Sequence, residues 1–208
     1  RGTYLTGVEK PETIHDFYGF PRELFAVQYP APGAPQFANE TADLLANSKD
    51  QVEHEWGLDH GTWSVLIHMF PKADVPVYQL SLDMQKPLSQ HYDLAKDLAA
   101  LRRRGVFILG SGNIVHNLQL LDWEHADGGA EWALEFDEKV AGLIDRGDHE
   151  PLKNPDQFGR AAHLSIPTPD HYLPLLYILA LQEQKESVKH FNAKLTMGSL
   201  SMRSILIS

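Results

Sequence analysis

Three histidines in this chain, His60, His116 and His171, stand among neighbours that equip an imidazole for chemistry. His116 closes the stretch Val106-Phe107-Ile108-Leu109-Gly110-Ser111-Gly112-Asn113-Ile114-Val115-His116-Asn117. Its four apolar residues, ended by Gly-Ser-Gly, predict a buried strand that stops abruptly and presents Asn113, His116 and Asn117. In an α/β sheet the carboxyl end of a strand is where ligands sit. Of the three polar groups only the imidazole exchanges a proton near neutral pH. The competing reading is a histidine that satisfies a backbone group beside a turn. A nucleotide cradle built from Gly110 and Gly112 is weaker, because Val115 stands where the fingerprint needs its third glycine.

His60 sits in Trp56-Gly57-Leu58-Asp59-His60-Gly61-Thr62-Trp63. Two glycines and two tryptophans around an Asp-His pair predict a tight turn into a helix, with the aspartate orienting the imidazole. His171 follows Pro167-Thr168-Pro169-Asp170, where Thr168 suits a helix cap, Pro169 the first helical position and Asp170 the first turn. An imidazole in a first turn is disfavoured as the cation and so held in the neutral form a divalent metal requires. A solvent-facing histidine is the alternative at that position. His15 reads as a loop residue bonded to Asp16, His68 as structural, and His125 and His149 as surface residues.

The elements that must position these groups follow from periodicity and turn signals. Residues 9–35 are dense in proline, glycine and aromatic side chains, which predicts a long functional loop folded over something. Helices are expected over 36–48, after His60, over 89–104 with Gly105 as the stop, within 118–150, and from Thr168 onward with a bend at Pro174. Strands are expected over 75–82, 106–109 and 205–207, and 151–166 reads as loop. Strand, helix and strand in succession argue for an α/β sheet with helices on its faces.

At 208 residues the chain fits a single domain spanning 1–208. Hydrophobic residues at 43% and charged residues at 22% describe a globular protein rather than a disordered one. The absence of cysteine removes disulfides, thiolate ligands and cysteine nucleophiles, leaving His, Asp and Glu for any metal site. A formal charge of -10 opposes a nucleic-acid surface. The basic cluster Arg102-Arg103-Arg104 suits a helix C-terminus. No apolar run is long enough to cross a bilayer and no signal-peptide pattern occurs, so the expected location is cytoplasmic. No Gly-x-Ser-x-Gly elbow is present.

These stretches, taken in order, resemble the class III extradiol ring-cleavage dioxygenases, in the 4,5-DOPA dioxygenase-like branch related to the catalytic subunit of protocatechuate 4,5-dioxygenase. The resemblance runs through Thr-Ile-His-Asp-Phe at 13–17, Gly-Phe-Pro at 19–21, Tyr-Pro-Ala-Pro-Gly at 29–33 and Trp-Gly-Leu-Asp-His-Gly-Thr-Trp at 56–63. It continues through Ser-Gly-Asn-Ile-Val-His-Asn at 111–117, Pro-Thr-Pro-Asp-His-Tyr-Leu-Pro-Leu-Leu-Tyr at 167–177 and Met-Gly-Ser-Leu-Ser-Met at 197–202. It implies a three-layer α/β/α sandwich around a mixed sheet and a mononuclear non-haem Fe(II) site, which Zn(II) would also suit. The substrates implied are a small aromatic diol, a DOPA-like catechol, and O₂. His116 matches the family's acid/base histidine, His60 a pocket histidine that contacts substrate, and His171 the last metal ligand.

The family's first two metal-binding histidines lie in His-Gly-Ser-Pro and Ser-Ala-His-Trp motifs, and neither motif occurs in residues 1–208. Arg1 falls just after the second in the family's order, and the expectation is that further residues precede it in the natural protein. A histidine near pKa 6.5 can take protons from a catechol and return one as the ring opens. The three imidazoles are thus expected to converge at one rim of the sheet. Two other readings stand beside this one: a zinc-dependent hydrolase on the same scaffold, and a binding module without metal.

Overall fold

A computed structural model describes residues 2–45, 52–124 and 126–208. The last positions of the helix expected over 36–48, and His125, lie outside the described residues. The chain forms two compact units, Arg1–Gln85 and Lys86–Ser208.

In the first unit, β1 (Leu5–Thr6) pairs in parallel with β2 (Val52–Glu53), Leu5 opposite Val52. The stretch 9–35 is irregular apart from the single turn α1 (Arg22–Phe25), as its proline and glycine content dictates. Helix α2 (Pro35–Leu44) starts on a proline, whose missing N–H costs nothing in a first turn, and buries Ala38, Thr41 and Ala42 at helical spacing. Helix α3 (His60–Met69) is capped by Asp59, whose side chain accepts from the Thr62 N–H at 3.0 Å. Its Trp63 and Leu66 pack with Tyr29, Ala31 and Leu58 into one core. The indole of Trp63 donates to the Ile14 carbonyl at 2.8 Å and the Tyr29 hydroxyl to Phe70 at 3.0 Å, so the aromatic loop is pinned to the helix. Residues 75–82, expected as a strand, make only two isolated bridges, Val77 to Gly33 and Leu80 to Leu5. Pro76 lacks a ladder N–H and interrupts the run. His68 is exposed rather than structural.

In the second unit the helix expected over 89–104 divides into α4 (Leu88–Lys96) and α5 (Ala99–Arg102). The N–H groups of Asp97, Leu98 and Leu101 bond three residues back, which tightens the chain between the two pieces. Arg102 ends α5 and forks onto the Glu186 carboxylate, with a further bond to the Leu181 carbonyl at 2.7 Å. Helix α6 (Glu131–Asp145) buries Ala133, Phe136, Asp137, Val140 and Ile144 along one face. Residues 151–166 are not a loop: two short 3₁₀ turns, Pro151–Lys153 and Pro155–Phe158, lead into α7 (Arg160–Ser165). Helix α8 (Leu173–Ala180) packs on α4, where the buried His91 meets the Tyr177 hydroxyl at 2.9 Å.

Strand β3 (Val188–Phe191) pairs antiparallel with β6 (Ser204–Ile207), and β4 (Leu195–Thr196) pairs antiparallel with β5 (Leu200–Ser201). Val106–Leu109, expected as a buried strand, pairs with no other strand among the described residues, and Phe107 and Leu109 are exposed. The fold is therefore a mixture of helices and short strands, with two-stranded sheets among the described residues. No described helix is long and apolar enough to cross a membrane.

Candidate active site

His116 and His171, 55 positions apart in sequence, lie face to face with ring centroids 3.4 Å apart and planes inclined by 7°. The backbone explains the approach. His116 forms an isolated antiparallel bridge with Leu200, and its N–H donates to the Ser165 carbonyl at 2.9 Å, so the end of α7 and the β4–β5 hairpin hold it from two sides. His171 lies in a turn in which Pro169 accepts from the N–H groups of Tyr172 and Leu173. That turn precedes α8 instead of belonging to it: Tyr172, not Thr168, occupies the cap position. Pro174 consequently falls in the first turn of α8, where no carbonyl loses a partner, and the bend expected there is not needed.

Burial, and then the neighbouring His171 ring, hold the His116 pKa down at about 4, against a smaller upward pull from Asp170. The value lies further below neutrality than the 6.5 expected, and it makes His116 a neutral proton acceptor at pH 7. Asp170 places a carboxylate oxygen 3.8 Å from His171 Nε2.

Asn113 joins the two stretches. Its N–H donates to the His171 carbonyl at 2.9 Å, its Nδ2 donates to the Ser201 carbonyl at 2.7 Å, and its Oδ1 lies 3.1 Å from His171 Nδ1. Asn117, by contrast, spends its side chain on structure, donating to Leu164 and accepting from Gln119. Ser201 is held in turn: its N–H bonds Val115 and its hydroxyl donates to the buried Asp137 at 2.6 Å. Asp137 also receives Arg203 Nε at 2.9 Å.

Gly110 and Gly112 serve packing against the turn before α8 and the start of that helix. A Cβ on Gly112 would lie 2.2 Å from the His171 carbonyl oxygen, and one on Gly110 would lie 2.8 Å from that of Pro174.

His60 belongs to the first unit, as the opening residue of α3. Its partner is Asp16, not the adjacent Asp59: Nδ1 meets Asp16 Oδ1 at 2.7 Å, and the same oxygen receives the His60 N–H at 3.0 Å. Burial opposes ionisation of Asp16, but those bonds outweigh it and hold its pKa below the usual carboxylate value. The pair is nearly half exposed, at 46% and 42%. Phe17 stands edge-on to His60 and joins Phe20, Phe25, Trp63 and His15 in an aromatic cluster. His15 itself bonds the Val27 carbonyl at 2.9 Å instead of Asp16. His149, read as a surface residue, is half-buried and meets the Tyr92 hydroxyl at 3.0 Å.

Sequence reasoning missed Asp16 as the partner of His60, and Ser201 and Asp137 as supports of Asn113. No local signal marked them, since each contact spans 44 residues or more.

Among the described residues no group of three or more His, Asp or Glu side chains is set to hold a metal ion. With Nδ1 engaged by Asn113, His171 has the arrangement typical of a metal-ligating histidine, whose second nitrogen is oriented by a carbonyl or carboxylate. The described residues therefore fit the contribution of one ligand to such a centre and do not complete one.

Residues 2–203 match the sequence family described as the catalytic LigB subunit of aromatic ring-opening dioxygenase. The chain is 45% identical over 212 residues to the 4,5-DOPA dioxygenase extradiol of Escherichia coli K12, covering 100% of this chain and 78% of that protein. It is 38% identical over 171 residues to the Beta vulgaris protein of the same name, covering 81% of this chain and 63% of that one. The fold is similar to the crystal structure of an uncharacterized Escherichia coli K12 protein, with a TM-score of 0.82 and 38% identity over 99% of this chain and 80% of the other. The chain thus belongs to the class III extradiol dioxygenases, the family of the LigB catalytic subunit.

Proposed function

We propose that this protein opens the ring of a substituted, DOPA-like catechol with O₂ at a mononuclear non-haem Fe(II) site. In this reading residues 1–208 form one catalytic domain with a three-layer α/β/α arrangement. The observation that carries the proposal is the stack of His116 on His171, which puts the residue matching the family's acid/base histidine against the one matching its last ligand. The names of the relatives support the substrate class.

His171 would be the ligand this chain contributes, and bound Fe(II) would supply redox chemistry with O₂ and a Lewis-acid anchor for the diol. His116, neutral at pH 7, accepts a proton from a catechol hydroxyl at its imidazole nitrogen. The same lowered pKa makes it a weaker base than a free imidazole and, once protonated, a stronger acid, which favours return of the proton as the ring opens. His60 is assigned hydrogen-bond donation to a substrate oxygen, which requires a hydrogen on Nε2 in addition to the one that Nδ1 gives to the Asp16 carboxylate. The aromatic side chains of Phe17, Phe20 and Phe25 are assigned the exclusion of water.

The test is anaerobic reconstitution of the polypeptide that carries residues 1–208 in its natural reading frame. With Fe(II), a DOPA-like catechol and ¹⁸O₂, the expected result is one O₂ consumed per catechol and both labelled atoms in the opened product. Ester or amide hydrolysis with Zn(II) and without O₂ would instead establish a hydrolase. Tight catechol binding with no conversion under any metal would establish a binding module.

A further inference from the structure

The amide of Asn113 can face only one way. Its two polar ends meet the Ser201 carbonyl and a ring nitrogen of His171. The Ser201 carbonyl accepts hydrogen bonds and cannot donate, so Nδ2, the donor end, must face it at 2.7 Å. The acceptor end, Oδ1, is then the atom 3.1 Å from His171 Nδ1. An acceptor there is satisfied only if Nδ1 carries the hydrogen. The neutral ring therefore bears its lone pair on Nε2. The Asp170 carboxylate, 3.8 Å from Nε2, is too far for a hydrogen bond that would favour the opposite tautomer.

Each member of this chain of contacts is itself held. The Ser201 N–H bonds the Val115 carbonyl at 2.9 Å, and its hydroxyl bonds Asp137, which is 1% exposed and paired with Arg203. Asn113 is further fixed by its own N–H on the His171 carbonyl. We propose that Asn113 is a positioning residue whose amide, oriented by the Ser201 carbonyl, locks His171 in the Nδ1–H tautomer and so selects Nε2 as its metal-binding nitrogen. The tautomer follows from the contacts alone; the role of Nε2 rests on the ring-cleavage reading given above.

The experiment uses ¹⁵N-histidine-labelled, metal-free protein at pH 8, where an unperturbed imidazole is neutral. The two ring nitrogens of His171 should give well-separated resonances, with Nδ1 protonated and Nε2 bare. Asn113→Leu should move the two resonances toward each other as the tautomers mix. In the full natural chain, Asn113→Leu should weaken Zn(II) binding about 10–100-fold in a chelator competition. A protonated Nε2 in the unsubstituted protein, or resonances unchanged by Asn113→Leu, would overturn the proposal. Should Asn113→Leu fail to fold, the spectrum of the unsubstituted protein decides alone. Because that spectrum needs neither metal nor catechol, failure of the turnover assay and failure of the tautomer assignment are separate results.

Discussion

The imidazoles of His116 and His171 share a 3.4 Å stack but face different demands. Replacing each in turn separates the roles proposed for them. In the full natural chain, His171→Ala should abolish stoichiometric iron, measured by elemental analysis. His116→Ala should keep the iron and lose about 10²–10⁴-fold in kcat. Full iron in the His171 variant would sink the ligand assignment.

Asp59 and Asp16 both bond backbone N–H groups at the start of α3, yet only Asp16 touches the imidazole of His60. Asp59→Ala should therefore cost about 0.5–2 kcal/mol in urea unfolding through loss of the cap, and leave the His60 ring resonances in place. Asp16→Ala should displace those resonances at a smaller cost in stability, since an exposed pair contributes about 0–1 kcal/mol.

Much of this was legible in the sequence wherever a signal is local. The Asp59 turn into a helix, the irregular loop over 9–35, and the polar cluster after Gly112 were all readable from residue type and spacing. Partners were not readable. Aspartate beside histidine in the sequence pointed to Asp59, whereas chain reversal delivers Asp16 from 44 positions away. Val106–Leu109 has the composition of a strand, but composition does not supply the neighbouring chain that a ladder requires. Residues 151–166 read as loop because Pro151, Pro155 and Gly159 outweigh the short Ala-Ala-His-Leu run that becomes part of α7.

Glu186 links stability to acid pH. The Arg102 guanidinium, by its hydrogen bonds, holds the Glu186 carboxyl below its ordinary value. A carboxylate whose folded pKa is depressed contributes stability above its unfolded pKa, and that contribution disappears as pH falls through the folded value. Urea unfolding between pH 7 and pH 3 should show stability falling with acid, and Glu186→Gln should flatten the slope below about pH 4.5. An unchanged slope would contradict the pairing.

Asp137 is a buried charge paired with Arg203 and with the Ser201 hydroxyl. Asp137→Ala leaves Arg203, whose side chain is 13% exposed, without that carboxylate, and should cost about 3–5 kcal/mol by chemical denaturation. Asp137→Asn keeps an acceptor for Ser201 and should cost less.

Gly112→Ala should destabilise by about 1–3 kcal/mol, because its methyl would press on the His171 carbonyl oxygen. Differential scanning calorimetry would show it as a lowered Tm. The wider meaning concerns how a saturation screen of this region would read. Gly110 and Gly112 offer no functional atom, yet their intolerance to replacement would rival that of the histidines. A tolerance map alone would rank spacer and reagent together, and only an assay that separates folding yield from turnover would tell the two kinds of essential position apart.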